Sequence, residues 1–394
     1  MKNKLLLTID GIRKDHLGCY NPKAARISPR ITEIAERSVV FDDMMAAATS
    51  TAMCFSSIFT GELSATFGRL DYGDSQNPHA DTLFSDHEAL GYTTFVSVNR
   101  RFEEYIEMMN AFSRAEFLWT GERPVNGSAN AKGEASLRPM EQAKFLTGHL
   151  ESSPAPWLAW IHLWGFGDPD APYVRRTGFD YDSRLAELDD AVGFLFDRFH
   201  GGSDVFVFAD HGYAFFEHGR WAYGIDGHNL VEPVVSVPFL VHDGATRGRN
   251  PNLVSQLRVR EIVREPAIAL ELHDETAVCE SRYAGQIDKG LVLRKGDYKL
   301  IYYHENGRRE FYDLATDPRE TIDYAGTRFH RHRRDSGRKP RAPYIVRSDW
   351  DALEATMEEL TERARNFYPR VSVPMKTRAK YTAKKLKRKI PFLS

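Results

Sequence analysis

Cysteine is scarce in this chain: three residues in 394, at positions 19, 54 and 279, are too few and too scattered for a disulfide framework or a cysteine-based zinc site. Their usage suits a reducing compartment. No apolar run reaches the length that crosses a bilayer. The short strand-like run between Lys4 and Asp10 cannot serve as a secretory h-region. Neither sign of charge dominates, because 53 basic against 55 acidic side chains leave a net charge of −2. No global field therefore draws the chain to nucleic acid. Internal repeats are also absent. These absences lead to the expectation of a cytoplasmic protein, and a hydrophobic content of 42% allows it a large core.

Charge is nevertheless uneven. Lys376 to Lys389 carries eight basic side chains and no acid, interleaved and followed by Tyr381, Leu386, Ile390, Phe392 and Leu393. A solvated tail is the plainer reading of such a run, and contact with an anionic membrane surface is the sharper one. No recognition motif supports nucleic-acid binding, and the sequence leaves the oligomeric state open.

Apolar runs alternate with helical periodicity, the pattern of an α/β protein with a mostly parallel sheet covered by helices. Strands are expected at Lys4–Ile9, Thr93–Val98, Trp157–His162, Asp204–Phe208 and Pro238–Val241. Helices are expected at 28–37, 180–199 and 350–367, and Leu118–Glu134 reads as a loop on the rim of the site. After about residue 245 the pattern becomes antiparallel, with Leu291–Tyr303 and Glu310–Leu314 around the turn Glu305-Asn306-Gly307. The expected division is a core over 1–245, a smaller α+β subdomain over 246–325, a basic loop and helix over 326–375, and the tail over 376–394.

Chemistry collects at strand ends. Asp210-His211-Gly212 leaves the run Asp204–Phe208, and Asp10-Gly11 leaves Lys4–Ile9. In open α/β sheets the carboxyl ends of the strands are where ligands bind. Two carboxylates and an imidazole there form a mixed oxygen and nitrogen set. It suits a divalent metal ion, zinc or manganese ahead of calcium or magnesium. Ser50 and Thr51 stand where a loop enters a helix. There a hydroxyl is most often a simple N-cap, yet it can also face an anion and become a nucleophile. His162, ending its strand, is a candidate general acid.

Several segments together resemble the sulfatase family of the alkaline phosphatase superfamily. Ile9-Asp-Gly-Ile-Arg-Lys-Asp-His-Leu-Gly-Cys-Tyr20 is similar to the family's opening signature, and Thr51 to Gly61 to its nucleophile helix. Asp210-His211-Gly212 with Glu217-His218-Gly219, Tyr181-Asp182 through Gly193, and Gly296-Asp-Tyr-Lys-Leu-Ile301 with Asp317-Pro318 follow in the family's order. The resemblance spans roughly residues 4–322. It implies one metal held by Asp10, Thr51, Asp210 and His211, and an acid at His228 in Gly227-His228-Asn229.

The departures shape the expected chemistry. Thr51 stands where sulfatases carry the Cys or Ser that becomes formylglycine. Met53 and Phe55 replace the motif's Pro and Arg, Gly11 replaces a second aspartate, and Asp170 replaces a histidine. A plain threonine is similar to the phosphotransfer branches of the superfamily. The implied activity is hydrolysis or transfer at a phosphate ester or diester through a covalent phospho-threonine. The implied substrate is an anionic ester, glycan- or lipid-linked. The alternatives are a sulfuric ester hydrolase working without formylglycine and a catalytically weak binding or scaffold protein on the same fold.

Overall fold

A computed structural model describes residues 1–64, 81–99, 114–120, 139–165, 180–215, 217, 221–222, 230–281, 290–304, 306–325 and 350–367. Its centre is a mixed nine-stranded sheet. Its first six strands in chain order are β1 (Asn3–Ile9), β2 (Val39–Met45), β3 (Thr93–Asn99), β4 (Glu116–Thr120), β5 (Trp157–Leu163) and β6 (Ser203–Ala209). Across the sheet the order is Gly248–Ser255, β2, Phe239–His242, β6, β1, β5, β3 and β4, with Ser236–Val237 pairing β2 off this path. The run β6-β1-β5-β3-β4 is parallel throughout. Its central strands are buried along their whole length, as strands covered on both faces must be.

Helices α1 (Pro29–Glu36), α2 (Thr51–Thr60) and α3 (Leu83–Ala89), with the later helices Pro139–Ser152 and Tyr181–Phe199, cover the sheet. The helix over 181–199 is amphipathic, burying Leu185, Leu188, Val192, Leu195 and Phe196, and Asp180 caps it by accepting from the Ser183 amide. By contrast α2 is buried on all sides from Ala52 to Thr60 and ends at Gly61, whose φ of 76° forms the left-handed cap.

Phe239–His242, at the expected fifth strand, runs antiparallel to both β6 and β2 and makes the sheet mixed. The rim segment needs a correction. Glu116–Thr120 is an edge strand paired with β3, so the rim segment begins with regular structure where a loop was expected; 121–134 lies outside the described residues.

The second sheet is antiparallel, in the order Ala277–Ser281, Gly290–Lys295, Tyr298–Tyr303, Arg308–Asp313. Gly296, at φ 53°, turns the middle of Leu291–Tyr303, so the single strand expected there is a hairpin. The helix Trp350–Phe367 lies on this sheet, with Leu353, Met357, Leu360 and Ala364 against Leu291, Leu293, Leu300 and Phe311. The small sheet reaches the main one where Ala48 bridges Glu280: the Thr49 amide donates to Glu280 O (3.2 Å) and the Glu280 amide to Ala47 O (2.9 Å). That contact fixes the strand of chain leading into Thr51.

Candidate active site

β1 and its two neighbours deliver the site. In register, Thr8 lies beside His162 of β5 and Phe208 of β6, and Ile9 beside Leu163 and Ala209. Asp10 and Asp210 therefore leave adjacent strands at the same edge, with His162 one strand over. The turn after each strand is pinned. The Tyr181 hydroxyl donates to Gly11 O (3.0 Å) and accepts from the Arg13 amide (2.7 Å). Gly212 donates to Val234 O, and a Cβ there would lie 2.0 Å from Pro233 O, so only glycine allows this approach.

Asp210 is fully buried. Its Oδ1 accepts from the amides of Gly11 (3.2 Å) and His211 (2.9 Å). Its Oδ2 has no hydrogen-bond partner and lies 3.5 Å from His211 Nε2. His211 Nδ1 lies 3.0 Å from Gly212 O. A carbonyl can only accept, so Nδ1 carries the proton and Nε2 presents a lone pair. That lone pair is 3.4 Å from Thr51 Oγ1 and 3.9 Å from Asp10 Oδ1. The Thr51 hydroxyl in turn donates to Asp10 Oδ1 (3.1 Å). Burial, and then the charge of Asp210, push the Asp10 carboxyl up to about 7.

Oxygens of Thr51, Asp210 and Asp10 thus stand 3.4, 3.5 and 3.9 Å from His211 Nε2, with Thr51 and Asp10 3.1 Å apart. Four ligands arranged tetrahedrally around a cation at about 2.1 Å stand about 3.4 Å apart. The spacing, the orphaned Oδ2 of Asp210 and the lone pair of His211 all fit a divalent ion. Asp10, Thr51, Asp210 and His211, singled out in the sequence, lie together at this edge. Asp10 and Asp210 also lie with a ring nitrogen of His162, the three ligand atoms all within 4.8 Å of one another.

Thr51 is the first residue of α2, so its hydroxyl stands where the helix presents unpaired amides and its positive dipole end. Ser50, the residue before, makes no side-chain cap, and its buried Oγ has no partner. Cys54 is wholly buried, with its thiol directed to Ala48 O at 2.9 Å and its pKa driven well up by burial, so it is not a reactive thiol. Phe55 fills the floor against Trp160 (4.7 Å between ring centroids) and His162 (4.8 Å). His228 and Asp170 lie outside the described residues.

Gln256 has no sequence signal. Fully buried, it accepts from the Ala47 amide (3.2 Å) and donates to Ala209 O (2.6 Å), tying the approach to Thr51 to the residue before Asp210. Beside the site, a cleft of about 980 Å³ is lined by Arg13, Lys14, Asp43, Glu232, Arg294 and Glu320 among others, and by none of the cluster's ligands. Its charges largely satisfy one another: Arg294 pairs with Asp43 (2.9 Å) and Glu232 (3.3 Å), and Arg13 with Glu217 (2.5 Å). It joins the small sheet to the core.

A mixed sheet thus carries carboxylates and imidazoles at its carboxyl edge, facing a helix N-terminus. The family description "Sulfatase" matches residues 2–259, and the chain belongs to the sulfatase family. Among solved structures it is similar to the phosphonate monoester hydrolase of Agrobacterium radiobacter, with 14% identity, TM-score 0.68, and 93% of this chain and 96% of that one covered. It is equally similar to a putative sulfatase from Bacteroides thetaiotaomicron, with 14% identity, TM-score 0.68, and coverage of 97% and 94%. The phosphonate monoester hydrolase of Silicibacter pomeroyi follows at 12% identity, TM-score 0.66, and coverage of 93% and 96%. No curated protein sequence matches the chain. Among the described residues no helix is long and apolar enough to cross a membrane.

Proposed function

We propose that this protein is a metal-dependent hydrolase or transferase of phosphate esters or diesters, with Thr51 as its nucleophile. The observation that carries the reading is the Thr51 hydroxyl at the head of α2, held between Asp10 Oδ1 and His211 Nε2 in a sulfatase-family chain. Formylglycine cannot be made from threonine, so in this reading the unmodified hydroxyl attacks. Among the similar structures are two named as phosphonate monoester hydrolases, so phosphorus chemistry occurs on this fold.

Asp10, Asp210, His211 and Thr51 would hold the ion. A divalent cation there supplies Lewis acidity towards the ester oxygen and towards the attacking hydroxyl. Thr51 Oγ1 attacks phosphorus and its proton passes to solvent. The phosphorus–oxygen bond to the alcohol breaks, leaving a phospho-threonine that water or an acceptor alcohol resolves. His228 is assigned, from its place in the sequence, to protonate the leaving oxygen. His162 suits that task less well, because it is fully buried and burial lowers its pKa to about 4.

We assign an anionic ester, glycan- or lipid-linked, as the substrate, met inside the cell. The tail over 376–394 is assigned peripheral contact with anionic membrane, and the domain limits remain those expected from sequence. Vesicle binding left intact on deleting the tail would refute the membrane contact. The test of function is turnover of bis-p-nitrophenyl phosphate, p-nitrophenyl phosphate, a phenylphosphonate monoester and p-nitrophenyl sulfate, with and without Zn²⁺ or Mn²⁺. Metal-dependent phosphorus ester turnover supports the proposal. Preferred turnover of the sulfate would make it a sulfatase without formylglycine, and inertness towards every ester would favour the binding protein.

A further inference from the structure

We propose that His162 is a further ligand of the metal, binding through Nε2 and held in place by Thr8. The inference rests on the metal-binding part of the reading above and is independent of its phosphoryl-transfer part.

His162 is wholly buried near the end of β5, wedged between Phe55 and Trp164 at ring-centroid distances of 4.8 and 4.0 Å. Its Nδ1 is 2.8 Å from Thr8 Oγ1. That oxygen is itself committed, accepting from Trp160 Nε1 (2.8 Å) and donating to Ile161 O (3.0 Å). With its only proton given to a carbonyl, Thr8 accepts from His162, which places the ring proton on Nδ1 and the lone pair on Nε2. Nε2 has no hydrogen-bond partner.

Asp210 Oδ2 is likewise buried and without a hydrogen bond. Both residues contribute to a set, with Asp10, whose ligand atoms all lie within 4.8 Å of one another. Two buried acceptors without a hydrogen bond, on residues whose ligand atoms come within 4.8 Å, call for an electropositive partner. A hydroxyl holding the far nitrogen of a ligating imidazole is the arrangement that fixes such a ring. Because Thr8 and His162 are register neighbours on β1 and β5, the sheet itself sets the ring's direction. A buried water between the two acceptors is the competing occupant.

The test is metal affinity of the full-length apoprotein, measured by competition with a chromophoric chelator for Zn²⁺ and Mn²⁺. His162→Ala is expected to weaken binding at least about 100-fold, and Thr8→Val about 10- to 100-fold. The Co²⁺-loaded visible spectrum is expected to change in His162→Ala. Apoprotein thermal midpoints and far-ultraviolet circular dichroism report whether each variant is folded, and His162→Gln, which keeps a polar group, serves if the alanine form is not. Affinity within about threefold of wild type in a folded variant, with an unchanged Co²⁺ spectrum, would overturn the assignment and leave a water in that gap. A wild type that binds no metal would overturn it together with the metal reading. A protein that binds metal through His162 but turns over no ester would uphold the inference and sink only phosphoryl transfer.

Discussion

Thr51→Ala is expected to cut ester turnover by at least about 1,000-fold while leaving the fold intact, because it removes the atom that forms the covalent intermediate. The side chain is at the start of α2, where alanine is compatible with the helix, so stability should change little. Thr51→Ser is expected to retain measurable turnover, since the hydroxyl survives with more rotational freedom. Steady-state kinetics on the best phosphorus ester, beside a thermal melt, separates the two effects. More than a tenth of wild-type activity in Thr51→Ala would mean that water attacks directly or that another group is the nucleophile.

The second large effect is on stability. Lys299 is fully buried between Glu232 Oε1 (3.0 Å) and Glu320 Oε1 (2.6 Å), and Glu232 also meets Arg294. Burial alone would raise the Glu232 carboxyl, but Lys299 and then Arg294 outweigh it and hold it down at about 2. Removing one partner from a buried ion pair leaves charge uncompensated, so Lys299→Met should lose about 3–5 kcal/mol at neutral pH. The sign with pH follows from linkage. A folded value near 2, below the ordinary 4.5, adds stability that is present above 4.5 and is lost as pH falls towards 2. The deficit of Lys299→Met should therefore shrink on acidification across that window. Urea unfolding at several pH values measures it, and a loss under about 1 kcal/mol at neutral pH would show that the cluster does not hold the small sheet.

The expected strands at the active edge are present because their signal is simple: continuous apolar runs that end in a carboxylate. Asp10, Asp210 and His211 needed only that each strand run in the same direction. Other elements left weaker traces. In β2, Asp42 and Asp43 interrupt the apolar run, and the two sit half-buried where the strand meets the charged cleft. Gly248–Ser255 contains Pro251, which argues against a strand, and it survives at the sheet edge with a register shift between Asn250 and Leu253. Gln256 could not be found at all, since its partners Ala47 and Ala209 are joined to it only by the fold. His162 was visible as a strand-end residue. Its direction was not, because which way it faces depends on the pairing of β1 with β5 that sets Thr8 beside it.

The most direct test of the central claim is acid-quenched peptide mass spectrometry of the metal-loaded enzyme caught during turnover of its best phosphorus ester. Phosphate carried on the hydroxyl of Thr51, decaying as the substrate is exhausted, is the expected result. Phosphate on any other residue, or an unmodified Thr51 alongside a fully active Thr51→Ala, would contradict it.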